Sequence, residues 1–138
     1  MGSAEVARIA PANFYFEGQS GPVQMRNTAA AQLAANRHVM AGLVDTSGYS
    51  ADTREKAQGF IITSLPLSIA GEQLAVGTYG LGFVEGKMNV YDLSGTLVLS
   101  VATASDQALR RPRPLAMTAS ADGLRLYSGR SYAVIVAK

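Results

Sequence analysis

Apolar and polar residues alternate one for one along much of this chain, the period of an extended strand with one buried face. The pattern is clearest between Ser64 and Ser100. Leu65, Leu67 and Ile69 alternate with Pro66, Ser68 and Ala70; Tyr79, Leu81 and Phe83 alternate with Gly80, Gly82 and Val84. Met88 and Val90 continue a return strand, and Thr96 to Val101 form another. Ala70-Gly71-Glu72-Gln73, Glu85-Gly86 and Ser94-Gly95 supply the turns between them. Pro66 lacks a backbone donor, which predicts an edge or a bulge at that strand. Glycines at Gly80 and Gly82 predict a tight bend or a closely approaching neighbouring backbone.

The same grammar extends to both sides. Asn13 to Glu17, Val23 to Arg26 and Leu115 to Thr118 read as strands, as do the segments holding Leu124, Leu126, Tyr132, Val134 and Val136. Asp122-Gly123 is the strongest short hairpin signal. Val39 to Val44 and Gly59 to Thr63 are continuous apolar runs, which suit strands buried on both faces. Residues 18–22 read as a turn and residues 45–53 as a loop, with a helical turn over 54–58. Thr28 to Asn36 is rich in alanine behind a capping threonine, so it predicts a two-turn helix, with a hairpin arm or a loop as the alternative. Residues 102–114 are a long connection, and residues 1–10 a flexible lead-in in which Met1-Gly2-Ser3 looks like an appended leader. The sum is about ten short strands and at most one short helix. The fold class expected is all-β, one domain over residues 1–138, an antiparallel β-sandwich or a closed β-barrel.

Composition agrees. Only 16% of the 138 residues are charged and 14 are glycine, which suits a turn-rich β protein rather than a helical bundle. Cysteine is absent, so neither a disulfide nor a thiolate site contributes. No apolar run approaches the roughly 18 residues of a membrane-spanning helix. Charge changes the picture more. Residues 1–103 hold six basic and eight acidic side chains, whereas residues 104–138 hold six basic and two acidic. The excess lies in Arg110, Arg111, Arg113, Arg125 and Arg130. A solvated rim and a patch for an anionic or protein partner are the two readings of such a cluster. Nucleic acid is not expected, because Pro112 and Pro114 interrupt the cluster and few aromatics stand near it for stacking.

Ile69-Ala-Gly71-Glu-Gln-Leu74-Ala-Val-Gly77-Thr-Tyr79 resembles a hairpin that recurs in bacterial exported β-domains of unknown function, although Ala75-Val76 replaces the usual Pro-Ala. Ala41 to Tyr49, Gly59-Phe60 and Tyr79 to Phe83 are similar to segments of small uncharacterised exported proteins of soil bacteria. Arg110 to Leu115 and Arg125 to Tyr132 would be their closing elements. The resemblance implies an exported β-domain, extracellular or periplasmic after loss of a signal peptide. It carries no catalytic residues.

Constellations for chemistry are sparse. His38 is the sole histidine, so a Ser-His-Asp triad would have to use it, with Asp45 and Ser47 nearby in sequence. No Gly-x-Ser-x-Gly elbow accompanies them. Asp45-Thr46-Ser47-Gly48 is close to the aspartic-protease triplet but has one residue too many and no second copy. The structural alternative for Asp45 is a turn in which its carboxylate accepts from backbone amides. Asp45, Asp52 and Glu55 lack the spacing of a calcium loop, and no zinc donor set exists. Gly80-Leu-Gly82 has no helix after it and so is no dinucleotide fingerprint. No metal or cofactor is therefore expected. Phe14, Tyr15, Phe16, Phe60, Tyr79, Phe83, Tyr91, Tyr127 and Tyr132 read as core fillers, and a barrel interior lined by some of them could take an apolar ligand.

The function expected is a non-enzymatic binding or interaction module whose surface joins the 102–114 loop to Arg125 and Arg130. The alternatives are a homo-oligomeric structural protein assembling through the Leu65–Ile69 edge, a small-ligand barrel, and a small hydrolase using His38 and Asp45.

Overall fold

Thirteen strands build the protein in a computed structural model that describes residues 3–138; Met1 and Gly2, and with them most of the supposed leader, lie outside the described residues. The strands are β1 (Asn13–Phe16), β2 (Gln19–Ala34), β3 (Arg37–Val44), β4 (Gly59–Thr63), β5 (Leu67–Ile69), β6 (Glu72–Leu74), β7 (Gly77–Val84), β8 (Lys87–Tyr91), β9 (Leu97–Ala102), β10 (Ala104–Ser105), β11 (Arg113–Ser120), β12 (Gly123–Gly129) and β13 (Ser131–Ala137). Two short helices join them, α1 (Ser3–Ile9) and α2 (Ala51–Lys56). One antiparallel sheet has the order β1-β2-β3-β4-β7-β8-β9, the other β11-β12-β13-β5-β6, with β10 also paired to β13. One sheet curls into a half-barrel, so the all-β expectation holds.

The corners follow local chemistry. β1–β2, β5–β6 and β7–β8 each close through two residues, Glu17-Gly18, Ala70-Gly71 and Glu85-Gly86. All six have φ between +48° and +91°, the sign that type I′ hairpins need at both central positions. The second residue is always glycine, which adopts it without a Cβ clash. The Asp122-Gly123 signal lands one residue off. The corner is Ala121-Asp122, and Gly123, at φ +135°, opens β12 opposite Ser120.

The central strands β3 and β4 of the seven-stranded sheet are buried on both faces, which explains the continuous apolar runs. Val39, Ala41 and Ile61 face an aliphatic core shared with Leu67, Ile69, Leu126 and Ile135 of the second sheet. Met40, Val44 and Phe60 face a second cluster with Val6, Phe14, Phe16 and Tyr49. Phe14, Phe16, Tyr49 and Phe60 therefore gather on the outer face of the large sheet, while Tyr79 and Phe83 pack against the aliphatic core between the sheets. Phe14 stacks on Phe60 at 5.5 Å, and Phe16 meets Tyr91 edge-on at 6.4 Å. Gly80 makes room for one of these rings: a Cβ there would stand 2.4 Å from Phe16. The close neighbour at that glycine is thus a side chain rather than a backbone.

Four expectations are corrected. Thr28 to Asn36 is strand and hairpin, not helix. Ala30 packs toward the aromatic cluster while Ala29, Ala31 and Leu33 pack against the aliphatic core, so pairing with β3 and two-sided burial override helical propensity. The helix lies at Ala51–Lys56 instead, capped by Ser50, whose Oγ accepts from the Thr53 amide at 3.4 Å. Residues 3–9 form a helix where a loose lead-in is predicted, and Val6 is buried in the aromatic cluster. Leu67–Ile69 is no edge: it pairs with β13 on one side and β6 on the other, while Pro66 precedes it and accepts from the Lys138 amide. That pairing removes the proposed route to self-assembly through this strand.

Candidate binding groove

The two sheets are not closed at every corner. β11 is the outer strand of its sheet, and it runs beside β2 with no ladder joining the two. β2 contributes to the opening by breaking register with β3 between Gln24 and Thr28. The extra residues Met25, Arg26 and Asn27 bulge from the sheet, held by a hydrogen bond from Asn27 to the Gln24 side chain and one from the Thr28 hydroxyl to the Gln24 carbonyl. The gap is a groove of about 740 Å3. Ala29, Leu115 and Met117 give it an apolar floor, α1 adds Val6, and Leu109 comes from the preceding loop. Arg26, Arg111 and Arg113 line it as well, and no carboxylate does. All three arginines are exposed, and among the described residues none of them makes an ion pair.

The other two arginines of the basic segment are already committed. Arg125 donates from Nε and Nη2 to the Asp122 carboxylate, both at 3.2 Å. Its Nη1 lies 3.8 Å from Asp106 and 3.4 Å from the Tyr127 hydroxyl, and its plane covers the Tyr132 ring at 4.3 Å. Tyr127 in turn donates to Asp106 at 2.8 Å. The Ser120 hydroxyl, then Arg125, hold the Asp122 carboxyl below the usual carboxylate range. Hydrogen bonding to Asp122 raises the Arg125 pKa further above neutrality. Arg130 donates to the Leu109 carbonyl at 3.1 Å, and its own carbonyl accepts from the Asp106 amide at 2.9 Å. Both side chains therefore fasten the 102–114 connection to the β12–β13 hairpin. The connection itself is broken by the two-residue β10, so its free span is shorter than predicted.

The structure thus divides the predicted binding set. Arg111 and Arg113 reach the groove, Arg110 is exposed on the loop but does not line it, and Arg125 and Arg130 act as braces. Arg26 was invisible to sequence reasoning. It lies far from the basic segment in the chain, and only the β2 bulge brings it there.

His38 and Asp45 are not brought together. They stand at opposite ends of β3, seven residues apart, or about 23 Å of extended chain. The His38 backbone is bracketed by Ser64, whose Oγ accepts from its amide at 2.7 Å and donates to its carbonyl at 3.2 Å. Asp45 accepts from the Ser47 amide at 3.1 Å, which holds its carboxyl below the usual range and caps the short turn Thr46–Gly48. Among the described residues no three His, Asp or Glu side chains converge as metal ligands; the Glu55 side chain lies outside those described. No described helix is long and apolar enough to cross a membrane. Comparison with known protein families, curated proteins and solved structures finds no match.

Proposed function

We propose that this chain is a non-enzymatic binding module, exported from a bacterial cell, whose β2–β11 groove takes an anionic ligand bearing apolar groups. The observation that carries this reading is the groove's makeup: an apolar floor with three arginines that, among the described residues, have no carboxylate partner. A guanidinium presents a planar fork of donors suited to carboxylate, sulfonate or phosphate oxygens. An apolar floor beside it lowers the local dielectric and strengthens such contacts. The volume lies in the range of small-molecule and peptide-segment sites.

The test is a fluorescence titration with anilinonaphthalene sulfonate, an anion with an apolar ring system, against the uncharged N-phenyl-naphthylamine. Saturable binding of the anion is expected, weaker binding of the neutral dye, and loss of the anion signal in R26E/R111E/R113E at unchanged melting temperature. Equal binding of both dyes, or an unchanged signal in the triple variant, would overturn the reading.

A further inference from the structure

We infer that the natural occupant of the groove is an extended acidic peptide that adds to the free edge of β11 as a further antiparallel or parallel strand, an assignment that rests on the anionic-groove reading above. Three observations converge on it. First, among the described residues β11 has a ladder partner only on its β12 side, so alternate residues turn backbone N–H and C=O groups outward along the groove. Second, the irregularity between Arg113 and Ala116, with Pro114 inside it, disrupts the strand's start and leaves Ala116–Ser120 as the regular template. That segment is about 17 Å long and offers room for roughly five residues of an added strand. Third, the side chains around this edge sort by chemistry. Ala29, Leu115 and Met117 lie on the floor, while Arg26 comes from the opposite bank and Arg111 and Arg113 from the template's beginning.

A strand laid in this slot shows one set of alternate side chains to the floor and the other to the rim. The recognised peptide therefore alternates apolar with Asp or Glu. Backbone hydrogen bonds supply sequence-independent affinity, and the two apolar and acidic registers supply selection. A small amphiphilic anion would use the arginines and the floor but would leave the outward backbone groups of β11 unpaired.

Calorimetric titration with a blocked peptide of about eight residues, repeating Val-Glu, tests this directly. Its comparators are the same peptide N-methylated at alternate residues, which keeps charge and side chains but removes ladder donors, and the repeating Val-Lys peptide. Expected is saturable binding of the Val-Glu peptide, at least about tenfold weaker binding of the N-methylated form in one of the two methylation registers, and no binding of Val-Lys. Bound peptide should also displace anilinonaphthalene sulfonate. Equal affinity of both N-methylated registers and the parent would overturn strand addition while leaving the anionic groove standing. So would dye binding without peptide binding. Absence of both dye and peptide binding would overturn both.

Discussion

Two sets of arginines occupy neighbouring ground and do different work. Arg125 and Arg130 sit in a lattice of acceptors, with Asp122, Asp106, Tyr127, Tyr132 and the Leu109 carbonyl each taking a share. Arg26, Arg111 and Arg113 stand around an apolar groove that no carboxylate lines, and among the described residues none of them makes an ion pair. The difference is in the partners and not in the residues. A guanidinium among carboxylates on its own hairpin stabilises the framework, whereas one beside an apolar floor keeps its donors available to an anionic ligand. Five of the six arginines that could have formed a basic face are concerned here, and the fold spends two of them on holding a loop.

Substitutions can sharpen or break that contrast. The largest effect expected is on binding: R26E/R111E/R113E should weaken the Val-Glu peptide by at least about 100-fold, on the order of 1 kcal/mol per lost charge-assisted contact, with little change in melting temperature. Calorimetry and a thermal melt together read both. A large fall in melting temperature would place these arginines with the braces. Next comes Arg125→Gln, which removes the cation shared by Asp106 and Asp122. It should lower the melting temperature and loosen the loop. Trypsin followed by mass spectrometry reports the second effect, because within the loop Arg111 and Arg113 are each followed by proline and only the Arg110–Arg111 bond is readily cut. Faster cleavage there is expected, and an unchanged rate would show that the loop does not depend on the clamp.

A smaller effect concerns acid. The Asp122 carboxyl is held below its ordinary value, so its contribution to stability is complete above the unfolded pKa of about 3.9 and is lost as pH falls through the folded value. Asp122→Asn should therefore flatten the loss of stability below about pH 4, while the contributions of Asp45 and Asp92, held low by Ser47 and Ser94, persist. An alkaline counterpart concerns Tyr49, which does not line the groove. Burial pushes the Tyr49 phenol up to about 12, so the stability it contributes is complete below pH 10 and falls as pH rises toward 12. Tyr49→Phe should flatten that limb, at the cost of the hydrogen bond to the Phe14 carbonyl. The smallest change is expected from Arg110→Ala, which neither lines the groove nor braces the loop: peptide affinity and melting temperature should both stay near the parent values. A loss of affinity comparable to the rim variants would extend the site along the loop.

Much of the architecture was legible in the chain. Period-two alternation and two-residue corners such as Glu85-Gly86 fixed where the ribbon runs and where it reverses, because side-chain direction and backbone φ are local properties. The continuous runs at Val39–Val44 and Gly59–Thr63 carried the two-sided burial of the large sheet's central strands. Other features were decided by partners distant in sequence. The alanines at 29–31 favour helix in isolation and became strand because β3 offered a ladder and two apolar layers accepted their small side chains. Leu67–Ile69 looked like an edge until β13, more than sixty residues on, paired with it. The groove belongs wholly to this second kind. Composition located a basic segment, but whether each arginine meets a carboxylate, a carbonyl or open space depends on which strands lie side by side. That is a matter of through-space distance, set when the two sheets pack and β2 bulges away from β3.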